Sequence, residues 1–183
     1  MRIEKIAAAH PAGVILREKD MEEETYRELA GKVAAICKKA GTCCILHSFY
    51  DAAIELNCTA IHLPLPLLRS LPAEKKTWFS ILGASCHSPE DALEAEELGC
   101  TYITAGHIFA TDCKKGLPGR GLDFLREVCG RVSIPVYAIG GIQAGNIAAV
   151  RESGAFGACV MSGAMQCENV QEYFSAFCVG ENG

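Results

Sequence analysis

Ile134-Pro135-Val136-Tyr137-Ala138-Ile139-Gly140-Gly141-Ile142 is the stretch that decides the fold. After the proline, Val136-Tyr137-Ala138-Ile139 forms an apolar run without polar alternation, the pattern of a strand covered on both faces. Two glycines end the run. A helical stretch over residues 144–153 follows, with Gly154 placed as its C-cap. A doubly covered strand, a turn and a helix make the repeating unit of parallel β/α architecture.

The same unit recurs in both directions along the chain. Gly13-Val14-Ile15-Leu16 reads as a strand, followed by a helix over residues 22–40 with Leu29, Val33 and Ile36 at helical spacing. Cys43-Cys44-Ile45-Leu46, a short helix over residues 51–56, and Ala60-Ile61-His62-Leu63 come next. Ile81-Leu82-Gly83-Ala84-Ser85 precedes a helix with Pro89 in its first turn, where the missing N–H costs nothing. Tyr102-Ile103-Thr104-Ala105, a helix over residues 123–129, Ala158-Cys159-Val160-Met161 and a helix over residues 169–178 complete the series. The alternative is an open doubly wound sheet. Polar residues recur at the carboxyl ends of the strands: Arg17, His47, Ser85, His107, Gly140 and Ser162. Such ends converge on one mouth in a TIM-type (β/α) barrel, which makes that fold the expectation. About seven strands are visible. A helical segment over residues 2–9 comes directly before the first of them, so the first strand of a full barrel is missing from the pattern. The expectation is one domain over residues 1–183, with no repeat or linker.

Composition narrows the function classes. No apolar run approaches the roughly 18 residues of a membrane span, and the opening Met1-Arg2-Ile3-Glu4-Lys5 lacks a signal-peptide layout. The expected setting is the cytoplasm, with no membrane partner. A net charge of −5, with no basic stripe, argues against nucleic acid. Of the eleven cysteines, most fall within apolar patterns and none forms a Cys-x-x-Cys pair. They read as reduced core thiols without a metal, and their odd number excludes complete internal pairing.

The densest chemistry lies in Gly106-His107-Ile108-Phe109-Ala110-Thr111-Asp112-Cys113-Lys114-Lys115-Gly116. An imidazole, a hydroxyl, a carboxylate, a thiol and two ammonium groups after an apolar strand suit a catalytic loop for a small anion. His107 is the candidate proton carrier, since an imidazole titrates near neutrality. Cys113 has no partner base in the sequence to make it a nucleophile. Gly116, Gly119 and Gly121 suggest a loop able to close over substrate. Gly140 and Gly141, with Ser162 and Gly163 after the next strand, form the spaced pair of turns that suits a phosphate at a barrel mouth. Arg17 suits a carboxylate in bidentate fashion, or else an ion pair with Glu18.

Together these segments resemble the thiamine phosphate synthase/TenI superfamily over nearly the whole chain. The resemblance rests on Leu16-Arg17-Glu18-Lys19, Ser85-Cys86-His87-Ser88, residues 99–121, residues 134–142 and Val160-Met161-Ser162-Gly163. It implies a (β/α) barrel acting on phosphorylated thiazole or pyrimidine intermediates of thiamin biosynthesis, and the family's usual homodimer. In the synthase branch the loop has Gly-Pro and Thr-x-Thr-Lys, and acids after two strands hold magnesium and pyrophosphate. Here Gly106-His107, Thr111-Asp112-Cys113-Lys114, His47-Ser48 and Leu63-Pro64-Leu65-Pro66 stand in those places.

The loop is instead similar to that of the TenI thiazole tautomerase. The resemblance therefore implies an isomerase that aromatises a phosphorylated thiazole carboxylate, without cofactor or metal. His107 would be catalytic, and Arg17, Lys19, Ser85, Thr111, Lys114, Gly140, Gly141, Ser162 and Gly163 would bind the substrate. Two alternatives remain: thiamine phosphate synthase, and a non-catalytic TenI-like regulatory or metabolite-binding protein.

Overall fold

The computed structural model describes residues 1–111, 114 and 116–178. Asp112, Cys113 and Lys115, on which part of the loop reading rested, lie outside that set. The chain divides into two compact units, Met1–Leu82 and Gly83–Gly183. Seven parallel strands in sequence order alternate with helices, which is the α/β, TIM-type (β/α) class read from the sequence. The first element is a helix, as expected.

The first unit contains α1 (Arg2–Ala8), β1 (Val14–Leu16), α2 (Glu23–Ala40), β2 (Cys44–His47), α3 (Tyr50–Glu55), β3 (Ala60–Pro64), α4 (Leu65–Ser70) and α5 (Ala73–Lys76). Register pairs Leu16 with Leu46 and His47 with His62, so the strand ends lie level. Along α2 the fully buried positions are Tyr26, Ala30, Val33 and Cys37, spaced by three or four residues. Leu29 and Ile36, expected on that face, sit half-buried on its flank. The reason is Tyr26: its hydroxyl donates to Leu16 O at 2.9 Å and accepts from the His47 amide at 2.9 Å. That double bond turns the tyrosine side of α2 toward β1 and β2. Gly41, at φ 70°, ends the helix as a left-handed cap. Thr42 then ties the turn to α1 through Ala7 O at 2.8 Å.

The second unit contains most of β4 (Ile81–Cys86), then α6 (Pro89–Glu97), β5 (Tyr102–Gly106), α7 (Gly121–Arg131), β6 (Val136–Ile139), α8 (Ile147–Glu152), β7 (Gly157–Cys159), α9 (Ser162–Gln166) and α10 (Val170–Cys178). The ladder runs Ala84↔Ile103, Ile103↔Val136 and Ala138↔Ala158. Ser88 caps α6, accepting from the Asp91 amide at 3.0 Å, and the Asp91 carboxylate accepts from the His87 amide at 2.8 Å. At the other end of that helix, Glu96 accepts from both amides and the hydroxyl of Ser133-Ile134 at 2.6–3.2 Å. This carboxylate fixes the turn that leads into β6. The last strand is one residue earlier and one shorter than the sequence pattern suggested.

Candidate active site

In the second unit the site is built where β5 and β6 end side by side. The loop leaving β5 hydrogen-bonds to the loop leaving β6, with Ile108 N–H donating to Ile139 O at 2.9 Å and Phe109 N–H to Gly140 O at 3.0 Å. The glycine pair is demanded by this approach. Gly140 and Gly141 have φ of 97° and 67°, a region costly for other residues. A Cβ on Gly140 would stand 2.4 Å from the His107 Cβ, and one on Gly141 2.6 Å from Ala110 O. The two glycines are thus needed for the packing of these loops.

Asn146, which the sequence gave no reason to single out, braces the turn. Its carbonyl accepts from Gln143 N–H at 2.9 Å and its amide donates to Gly141 O at 3.0 Å. A second support is His87, whose Nδ1 lies 3.0 Å from Gly106 O. His107 is half-buried, with Nε2 3.4 Å from Leu117 O. Its own carbonyl accepts from Arg120 N–H at 2.9 Å, and Gly121 N–H donates to Ile108 O at 3.0 Å, so the loop's ends are tied together. Thr111 is half-buried and its carbonyl accepts from Lys114 N–H at 3.0 Å, while the Lys114 side chain is exposed. Ser85 lies half-buried in β4. After β7, Ser162 is exposed and Gly163 half-buried, but they open α9 rather than a bare turn. A Cβ on Gly163 would meet the Tyr173 hydroxyl at 2.3 Å.

In the first unit, Arg17 and Lys19 follow β1 and are exposed. Level with that end, buried His47 and His62 stack at 5.8 Å between ring centres. Burial holds His47 down at about 4 and His62 at about 3, with the Arg17 charge adding to both. Both are therefore neutral at pH 7. Ser48 Oγ is 2.7 Å from His47 Nδ1, and Ser48 itself sits at φ 68°. The His62 position was missed in the sequence because isoleucine and leucine flank it in a strand, which reads as core.

The magnesium that the resemblance attaches to the synthase branch asks for hard oxygen donors. At these strand ends the donors are two neutral imidazoles and a serine beside an arginine. No group of three acidic, histidine or cysteine side chains among the described residues is arranged to hold a metal ion. Glu18 and Asp20, which follow Arg17, are exposed, and Asp51 is committed to Lys75 at 2.6 Å. The residues present do not fit a carboxylate-held magnesium ion, and no chemical step is assigned to one.

Comparison with known proteins identifies the family. The model for thiamine monophosphate synthases (TMP-TENI) matches residues 1–164. A thiamine-phosphate synthase of Syntrophomonas wolfei is 32% identical over 178 residues, covering 92% of this chain and 83% of the relative. One from Methanocella arvoryzae is 38% identical over 169 residues, covering 90% and 79%. Among solved structures, thiamine phosphate pyrophosphorylase from Pyrococcus furiosus superposes with a TM-score of 0.81 at 26% identity, covering 97% of this chain and 86% of that one.

These findings correct the expectation of a thiazole tautomerase. That expectation weighed a short loop and a few lost acids, whereas the likeness to proteins called synthases runs nearly end to end. Part of the deciding loop, Asp112, Cys113 and Lys115, is also outside the described residues. Matched along almost all of its length, the chain belongs to the thiamine monophosphate synthase family.

Proposed function

We propose that this protein is an enzyme of thiamine biosynthesis, a transferase that joins a pyrimidine pyrophosphate to a thiazole phosphate. The observation that carries the reading is the chain-long similarity to thiamine-phosphate synthases. In such a coupling the thiazole nitrogen forms a bond to the pyrimidine's methylene carbon. The carbon–oxygen bond to diphosphate breaks, and its electron pair leaves with the diphosphate. The protein's tasks are to hold two anionic substrates and to balance the charge of the leaving group.

In the first unit, Arg17 and Lys19 supply exposed cations for the diphosphate, and Arg17 offers a planar fork for paired oxygens. In the second unit, Gly140 and Gly141 present backbone to the thiazole's phosphate, with Ser162 and Gly163 contributing a hydroxyl and a further stretch of close backbone. Ser85, Thr111 and Lys114 serve as additional substrate contacts. The displacement requires no proton shuttle, so His107 is a positioning group that shapes the loop against Gly140. The homodimer implied by the family resemblance belongs to this proposal as well.

The test is to incubate the purified chain with both substrates, with and without magnesium, and to follow thiamine phosphate and diphosphate together. Equal amounts of the two products are expected. Binding of both substrates without either product would overturn the reading and leave a metabolite-binding protein.

A further inference from the structure

The first unit has a cleft of about 390 Å³ that no step of the proposed reaction uses. It lies where β2 and β3 begin, at the opposite strand ends from Arg17, His47 and His62. Lys38, Cys43, Cys44, Asn57, Cys58 and Ile81 are among its lining residues. Three thiols therefore face one opening, and Cys37, fully buried on α2, stands behind them.

Cys44 and Cys58 are neighbours in this group. The β2–β3 register pairs Leu46 with Ile61, which brings Cys44 level with Thr59 and beside Cys58. Cys58 Sγ is 3.3 Å from Cys44 O and 3.5 Å from Ala60 O, and the Cys44 and Cys58 side chains hydrogen-bond to each other. Asn57, at φ 53°, makes the turn that points Cys58 back toward β2. As a thiol Cys58 donates to these carbonyls. As a thiolate it accepts from the Cys44 thiol and from the amides of Ala60 and Leu46, which lower its pKa. Cys44 is pushed up, first by that same hydrogen bond and then by burial. Cys58 is thus the readier nucleophile of the pair, and its neighbour stays a protonated thiol.

We propose that Cys58 and Cys44 form a peroxide-sensitive dithiol that closes to a disulfide across the mouth of this cleft. The Cys58 thiolate attacks one oxygen of a hydroperoxide, the O–O bond breaks, and hydroxide departs to become water. Cys58 is then a sulfenic acid. The Cys44 sulfur attacks the Cys58 sulfur, the S–OH bond breaks, and the hydroxyl leaves with the Cys44 proton as a second water. Two thiols lose two electrons and the peroxide gains them. Cys37 is not the partner of first choice, because it is fully buried on α2 and does not line the opening.

The experiment treats the reduced full chain with hydrogen peroxide, blocks remaining thiols, and maps peptides by mass. The expected product has lost two hydrogen atoms, contains a peptide linking Cys44 to Cys58, and returns to the reduced mass with dithiothreitol. Cys58→Ser should lose that link, and Cys37→Ala should keep it. Far-ultraviolet circular dichroism confirms that each variant is folded. The wild-type map decides the question even if a variant fails to fold. A wild-type protein whose Cys58 stays reduced, oxidises beyond sulfenic acid without a link, or pairs instead with Cys37 or Cys43 would overturn the proposal.

Discussion

At the scale of single residues, Gly140 carries two constraints at once. Its positive φ and the 2.4 Å approach of a would-be Cβ to His107 both oppose a side chain. Gly140→Ala is therefore expected to cost at least about 2 kcal/mol, since strained backbone alone contributes roughly 1–3. Urea unfolding measures this, and an unchanged midpoint would refute the packing role. Arg17 makes a different prediction. Arg17→Ala should lower kcat/KM for the pyrimidine pyrophosphate by about ten- to a hundredfold, as for loss of a hydrogen bond to a charged group. Arg17→Lys should restore only part of it, because lysine lacks the planar fork. A loss of stability in place of a loss of rate would show that Arg17 is only a structural ion-pair partner. The glycine pair was legible as a turn because a positive φ straight after a strand favours a residue without a side chain. Asn146 and His62 were not: one acts through loop hydrogen bonds, the other is masked by apolar neighbours.

At the scale of elements, the strands and long helices were written in apolar periodicity, and their observed bounds lie within a few residues of those expected. Three short helices, α4, α5 and α9, were not, although α1, α3 and α8 were. α4 begins among prolines, and Pro66 sits in its first turn, where proline is tolerated. α9 was concealed because Ser162-Gly163 reads equally well as a phosphate-binding turn. Capping gives an element-scale test. Ser88→Ala removes the acceptor for the Asp91 amide, and stability should fall by about 1 kcal/mol. Ser88→Asp, which keeps an acceptor there, should recover most of it. Equal midpoints for serine and alanine in a denaturant titration would argue that α6 is held only by its packing.

At the scale of the whole molecule, the function class was misjudged even though the family was legible. A few loop residues outweighed a similarity distributed over the entire chain, which no local motif expresses. Acid response offers a test that integrates many contacts. In the unfolded chain His47 and His62 take up protons below about 6.5. In the folded chain they resist until about 4 and 3. The unfolded state therefore binds more protons through that window. Stability is full above it and declines as the pH falls through it. Between pH 7 and pH 5 the loss should approach roughly 1.4 kcal/mol per pH unit for each imidazole once below its unfolded pKa. Urea midpoints at the two pH values measure it, and His47→Gln should shallow the slope. An acid-independent midpoint would mean that the buried pair is not kept neutral by folding.

Tyr26 has a consequence of another kind. Hydrophobic contact tolerates sliding, because one apolar surface suits another at many offsets. A hydroxyl that must both give to Leu16 O and receive from the His47 amide is satisfied at a single position. It works as an index mark, setting where along the strands the 18-residue α2 stops. The heights of Arg17, next to the Leu16 carbonyl, and of His47, whose own amide is the other partner, are set by the same mark.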